Sequence, residues 1–101
     1  MLTLPIQIPE TAIAHFCQHN HIRKFSLFGS VLTDHFREDS DVDVLIEMEP
    51  QVQPSLMDLV RLESELSEIL RRKVDLRTPG ELSRYFRDEV MRTALPLYEQ
   101  C

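Results

Sequence analysis

Phe28-Gly29-Ser30, ten residues of connection, then Asp41-Val42-Asp43-Val44-Leu45-Ile46-Glu47: this stretch decides the fold. In its second half Val42, Val44 and Ile46 alternate with Asp41, Asp43 and Leu45. Successive side chains of a strand point to opposite faces, so the pattern predicts a strand over 41–47 with both aspartates on one face. Gly29 closes a preceding β-prone run, in which Phe25 and Leu27 mark a strand over 22–28. Ser30 then stands where a helix cap belongs, and a short helix is expected over 31–36.

Working outward, residues 9–20 read as a first helix. Pro9 and Glu10 suit its opening turn, and Ile13, Phe16 and Cys17 share a face. Residues 48–54 hold two prolines and form a loop. Ser55 with Asp58 resembles a capping box and opens the clearest helix, 56–71, whose buried stripe is Leu59, Leu62, Leu66, Ile69 and Leu70. A third strand follows over 73–78, with Val74 and Leu76 on one face and Asp75 on the other. Thr78, Pro79 and Glu81 supply a cap, a first-turn proline and an acid, so a last helix is expected from there to about residue 94, with Pro96 beyond its end. Strands alternating with helices define a layered α/β (α+β) class, expected as a single domain over 1–101.

Composition narrows the function. Hydrophobic residues make up 43% of the 101, enough for one modest core. Asp and Glu number 17 against 11 Lys and Arg, a net charge of −6, which argues against a nucleic-acid backbone as the main partner. The basic residues gather late, at Arg71, Arg72, Lys73, Arg77, Arg84, Arg87 and Arg92, and are read mostly as solvated helix faces. Cys17 and Cys101 have neither metal-ligand spacing nor the number for a disulfide framework, so a reduced, cytoplasmic protein is expected. No apolar run approaches the length of a membrane span, so no membrane role is expected. His15, His19, His21 and His35 are scattered and read as surface residues.

The chemistry lies in the quoted stretch. Gly29 lets backbone approach a ligand closely, and Ser30 adds a hydroxyl. A helix start there would aim free N–H groups at an anion such as phosphate. Asp41 and Asp43, projecting together, can share metal ions, and Mg²⁺ is typically held by one or two carboxylates plus substrate phosphates. Asp75 could add a third carboxylate from a neighbouring strand. The bland readings are a polar strand start for Asp41 and Asp43, and an exposed strand position paired to Lys73 or Arg77 for Asp75.

Phe28-Gly29-Ser30 with Asp39-Ser40-Asp41-Val42-Asp43-Val44-Leu45-Ile46-Glu47 resembles the signature of the minimal nucleotidyltransferase (MNT) family, within the DNA polymerase β-like nucleotidyltransferase superfamily. Leu82 through Val90 and Pro96-Leu97-Tyr98 are similar to the usual MNT ending. The resemblance implies a small mixed sheet of at least three strands covered by about four helices. It implies that Asp41 and Asp43 hold two Mg²⁺ ions with the triphosphate of ATP, that Gly29 and Ser30 contact the phosphates, and that Asp75 binds the catalytic metal and helps activate the attacking hydroxyl. Members are commonly antitoxins paired with HEPN-domain RNase toxins, which implies AMP transfer to a toxin tyrosine within a hetero-oligomeric complex. Thr33 departs from an arginine that many members carry after Gly-Ser; Arg37 is the candidate substitute as a nucleotide contact. The alternative is an antitoxin that acts by binding alone, with a vestigial nucleotide site. Tyr85 and Phe86 could face a partner, with amphipathic-helix core as the default.

Overall fold

The computed structural model describes residues 4–100, so Cys101 lies outside the described residues. Among the described residues three α-helices and four strands follow in the order α1 Glu10–His19, β1 Ile22–Phe28, β2 Val42–Met48, α2 Leu56–Leu70, β3 Val74–Arg77, α3 Arg84–Thr93 and β4 Leu95–Glu99. The sheet order is β3-β2-β1-β4. β1 pairs antiparallel with both β2 and β4, and β2 pairs parallel with β3, so the sheet is mixed.

The strand alternation of the sequence produces two unlike faces. On one, Phe25 and Leu27 of β1, Val42, Val44 and Ile46 of β2, and Val74 and Leu76 of β3 meet Ile13, Phe16 and Cys17 of α1 and Leu62, Leu66 and Leu70 of α2. This is the main core. The opposite face carries a smaller cluster, Phe28, Leu45, Leu82 and Val90, under α3. The same face carries Asp43 and Asp75.

Local signals set the boundaries. Ser55 accepts the Asp58 N–H at 3.1 Å while the Asp58 carboxylate accepts the Ser55 N–H at 2.9 Å, closing the capping box of α2. That bond holds the Asp58 carboxyl below its ordinary pKa. β3 is an edge strand, and α2 covers its outward backbone. The Ser67 hydroxyl accepts the Val74 N–H at 3.2 Å, and the Glu63 carboxylate accepts the Leu76 N–H at 2.9 Å. An open edge would otherwise invite pairing with another chain.

Three expectations need correction. The helix expected over 31–36 is a 3₁₀ turn, Gly29–Leu32, closed when Thr33 donates its N–H and its hydroxyl to the Ser30 carbonyl, each at 2.9 Å. The last helix does not run from Thr78. Glu81 does accept from the Thr78 N–H at 3.1 Å, but the turn it caps is 3₁₀, Pro79–Glu81, and Leu82 then adopts extended backbone. Ser83 restarts the helix by accepting the Phe86 N–H at 3.3 Å. Finally, Pro96 is not merely a stop. Residues before proline favour extended backbone, and an edge strand tolerates the missing N–H, so β4 forms and pairs with β1.

Candidate active site

Strand register brings the acidic groups together. In the β1–β2 pair Phe28 stands opposite Asp43, and in the β2–β3 pair Asp43 stands opposite Asp75. Chain leaving β1 at Gly29 therefore emerges beside the Asp43 carboxylate. Gly29 has φ +76°, and a Cβ placed on it would collide with the Asp43 carboxylate, lying 3.1 Å from its Cγ. Glycine is favoured on both counts.

Burial raises the Asp43 pKa above its ordinary 3.8, and the charges of Asp75 and Asp41 push it further up; Arg77 and the Ser30 N–H, which donates to it, pull the other way. Asp41 immediately precedes β2 and is half-buried. Asp75 is held by Arg77 of its own strand, with Nε–Oδ1 at 3.1 Å and Nη2–Oδ2 at 3.4 Å. The pairing read from sequence as the bland alternative for Asp75 is thus present, on the same face as Asp43. Both roles are compatible, because a guanidinium holds a carboxylate in place until a stronger cation competes.

Gathering carboxylates at a half-buried position disfavours their charge unless a cation joins them. Among the described residues, no three His, Cys, Asp or Glu side chains converge into a ready-made cage. The oxygen-only donor set of Asp41, Asp43 and Asp75 nevertheless fits Mg²⁺, which takes few carboxylates and completes its shell with water and phosphate oxygens.

Gly29, Asp43 and Asp75 line one cavity of about 370 Å³, with Phe28, Arg77, Leu82, Ser83 and Phe86 among its other walls. Arg37 does not reach it. Arg37 is exposed; its backbone N–H donates to the Ser40 hydroxyl at 2.9 Å.

The model of the family described as Polymerase beta, Nucleotidyltransferase matches residues 10–100. The chain belongs to this nucleotidyltransferase family. A Methanocaldococcus jannaschii relative, MJ0435, provisionally named a protein adenylyltransferase, is 35% identical over 74 residues, covering 73% of this chain and 77% of the relative. A chain from a toxin–antitoxin crystal structure with AMP-PNP shares the fold at TM-score 0.75 and 20% identity, covering 92% of this nucleotidyltransferase and 75% of that chain. So does a chain from the Shewanella oneidensis complex of tri-AMPylated HEPN toxin with MNT antitoxin, at TM-score 0.67 and 20% identity over 90% and 70% of the two chains.

Sequence reasoning misjudged two groups in this nucleotidyltransferase. Arg72, read as a helix-end cation, reaches back to the segment before β2. Its Nη2 donates to the carbonyls of Arg37 at 3.1 Å, Glu38 at 2.7 Å and Ser40 at 3.4 Å, and its guanidinium lies 4.7 Å from the Phe36 ring centroid. It thereby anchors the chain that delivers Asp41. No local signal could reveal a clamp across more than thirty residues of chain. The second group is Tyr85 and Phe86. The default of core is overturned: Tyr85 is 91% exposed and Phe86 50%. The four histidines are exposed, as expected. Cys17 is buried and free, its thiol pushed up to about 12 by burial. Among the described residues no helix is long and apolar enough to cross a membrane.

Proposed function

We propose that this chain is a cytoplasmic, single-domain protein adenylyltransferase antitoxin that transfers AMP from ATP to a tyrosine hydroxyl of a cognate HEPN toxin. The observation that carries the reading is the alignment of Asp43 with Asp75 on the open sheet face, against a glycine at positive φ in close contact with the Asp43 carboxylate. The names borne by the relatives, a protein adenylyltransferase and an antitoxin beside an AMPylated HEPN toxin, support the donor, acceptor and partner.

Asp41, Asp43 and Asp75 are the residues that would hold Mg²⁺, two ions in all by resemblance. Bound metal supplies charge stabilisation to the attacking and leaving oxygens. The chain's own groups orient the reaction. The Gly29 backbone permits close approach of the triphosphate and the Ser30 hydroxyl faces it, while the Ser30 N–H stays on the Asp43 carboxylate. Asp75 positions the acceptor hydroxyl and accepts a hydrogen bond from it. The acceptor oxygen bonds to the α-phosphorus, the bond to the bridging oxygen breaks, and pyrophosphate departs. The hydroxyl proton passes to Asp75 or to water.

The test incubates the protein with ATP, Mg²⁺ and a cognate HEPN protein, and weighs the HEPN protein intact. AMP-sized additions are expected with the wild type and none with Asp41→Asn/Asp43→Asn. Unmodified but silenced partner in both reactions would establish neutralisation by binding alone.

A further inference from the structure

We propose that the outer face of α2 is a self-association surface, on which a second copy of this chain docks with its own α2 running antiparallel. Helix positions three and four apart share a face. Met57, Val60, Arg61, Ser64, Glu65 and Glu68 accordingly form one continuous stripe, and they line an open groove of about 380 Å³. The buried stripe of the same helix, Leu62, Leu66 and Leu70, faces the main core, so the outer stripe takes no part in closing it. The first turn of that outer face is nevertheless apolar: Leu56 and Met57 are each 74% exposed and Val60 53%. Single apolar side chains scattered over a surface are ordinary, but three large ones together on one helical turn mark an interaction surface.

Charge decides the occupant. The stripe is polarised: apolar residues and Arg61 hold its N-terminal half, Glu65 and Glu68 its C-terminal half. Arg61 and Glu65 lie one turn apart, in the order that is weaker for pairing within a helix. Among the described residues Arg61 meets only Asp58, at 4.0 Å, and neither Glu65 nor Glu68 has a cation within that distance. A second α2 packed antiparallel brings the complement. Arg61 of each copy then stands beside Glu65 and Glu68 of the other, and the two-fold axis makes both contacts at once. Ser64, the small residue between them, lets the helices approach. Met57 and Val60 bury against the aliphatic stems of the opposing charged residues. A parallel pair would instead set Arg61 on Arg61 and glutamate on glutamate. The stripe thus complements itself in one orientation, as an isologous contact requires. One helix face is smaller than a standard interface and the net charge of −6 repels copies elsewhere, so a dissociation constant of about 100 µM is expected. The arrangement bears on function, because α2 covers the core face while α3 lies on the other. Two copies joined through α2 keep both clefts open, each free for its own partner.

Sedimentation equilibrium from micromolar to millimolar protein, with no nucleotide or other protein present, reads the association directly. Wild type is expected to dimerise reversibly. Arg61→Glu makes the charges of the stripe wholly acidic, and Glu65→Lys/Glu68→Lys makes them wholly basic. Each variant alone is expected to associate about tenfold more weakly or worse, because its opposed charges become alike. The basic variant carries less net charge than wild type, so general repulsion does not account for its loss. An equimolar mixture of the two variants is expected to form a heterodimer, since every opposed pair then regains opposite sign. All three substituted side chains are exposed, and circular dichroism checks that the fold is unchanged. Wild type that stays monomeric over the whole range overturns the proposal. So does association that persists in both variants, or a mixture that remains monomeric. If wild type is monomeric and the variants lose binding to a HEPN protein, the face belongs to that protein and not to a second copy. The measurement involves no AMP transfer, so its result is independent of the reaction proposed above.

Discussion

Replacing Gly29 by alanine disturbs the site in two ways that a second substitution can separate. The first is backbone: at φ +76° a residue with a Cβ sits in left-handed space at a cost of about 1–2 kcal/mol. The second is collision with the Asp43 carboxylate, which must rotate away and give up the Ser30 N–H. A lost hydrogen bond to a charged group costs roughly 1–3 kcal/mol. Gly29→Ala should therefore lose about 2–5 kcal/mol, a large part of the roughly 5–15 kcal/mol that a small domain possesses. In an Asp43→Ala background the collision disappears. The remaining neighbour is the residue-43 Cβ, 3.4 Å from the new methyl, which is ordinary contact. There Gly29→Ala should cost only the backbone strain. Urea unfolding of the four proteins of this cycle measures the coupling, expected at about 1–3 kcal/mol. Additivity to within about 0.5 kcal/mol would show that the glycine answers to backbone conformation alone and not to the carboxylate.

Asp43→Asn should stabilise the metal-free protein at neutral pH while abolishing transfer. The raised native pKa means the protonated carboxyl is favoured on folding, so its contribution is complete below the unfolded value of 3.8 and is lost as pH rises through the native value. The melting-temperature gap between variant and wild type should accordingly close in acid, and a gap independent of pH would refute the cause. Arg72→Ala should cost about 1–3 kcal/mol and speed amide exchange over residues 37–40, with weaker ATP-analogue binding; unchanged exchange there would mean the clamp holds nothing. Arg72→Lys should recover only part, since a single ammonium does not reproduce the planar fork. Glu63→Gln should preserve protection of the Leu76 amide, because an amide oxygen still accepts, whereas Glu63→Ala should expose it; equal exchange in both would show that charge, not the acceptor, guards the β3 edge.

What could be read from sequence was whatever depends on short-range periodicity. Val42, Val44 and Ile46 alternating with Asp41, Asp43 and Leu45 declared both the strand and its two faces, because one residue of slippage would bury the aspartates. The leucine stripe and Ser55–Asp58 box of α2 declared that helix in the same way. What escaped depends on partners distant in sequence. β4 carries Pro96 and little pattern; it exists because β1 offers it a ladder and because Leu97 and Tyr98 pack on the main core. The strong start signal at Thr78 was real but capped one turn, since Leu82 must extend to reach Phe28 and Leu45. Arg72 looked like any helix-end cation, and only folding brings residues 37–40 beneath it.

The unequal faces of the sheet tie these features to function. The main core engages α1 and α2 with three strands and carries most of the buried apolar surface. The opposite face cannot be closed in the same way, because it carries Asp43 and Asp75, and an apolar lid would bury the Asp43 charge without a cation of its own. α3 therefore rests on a cluster of four buried residues, and two of them, Phe28 and Leu82, are also walls of the cavity. So few contacts make α3 the element that opens at least cost. Its exposed Tyr85, Phe86 and Met91 then follow from the same constraint: apolar side chains beside a charged site have no core of their own to enter, and a partner protein is the surface that can cover them.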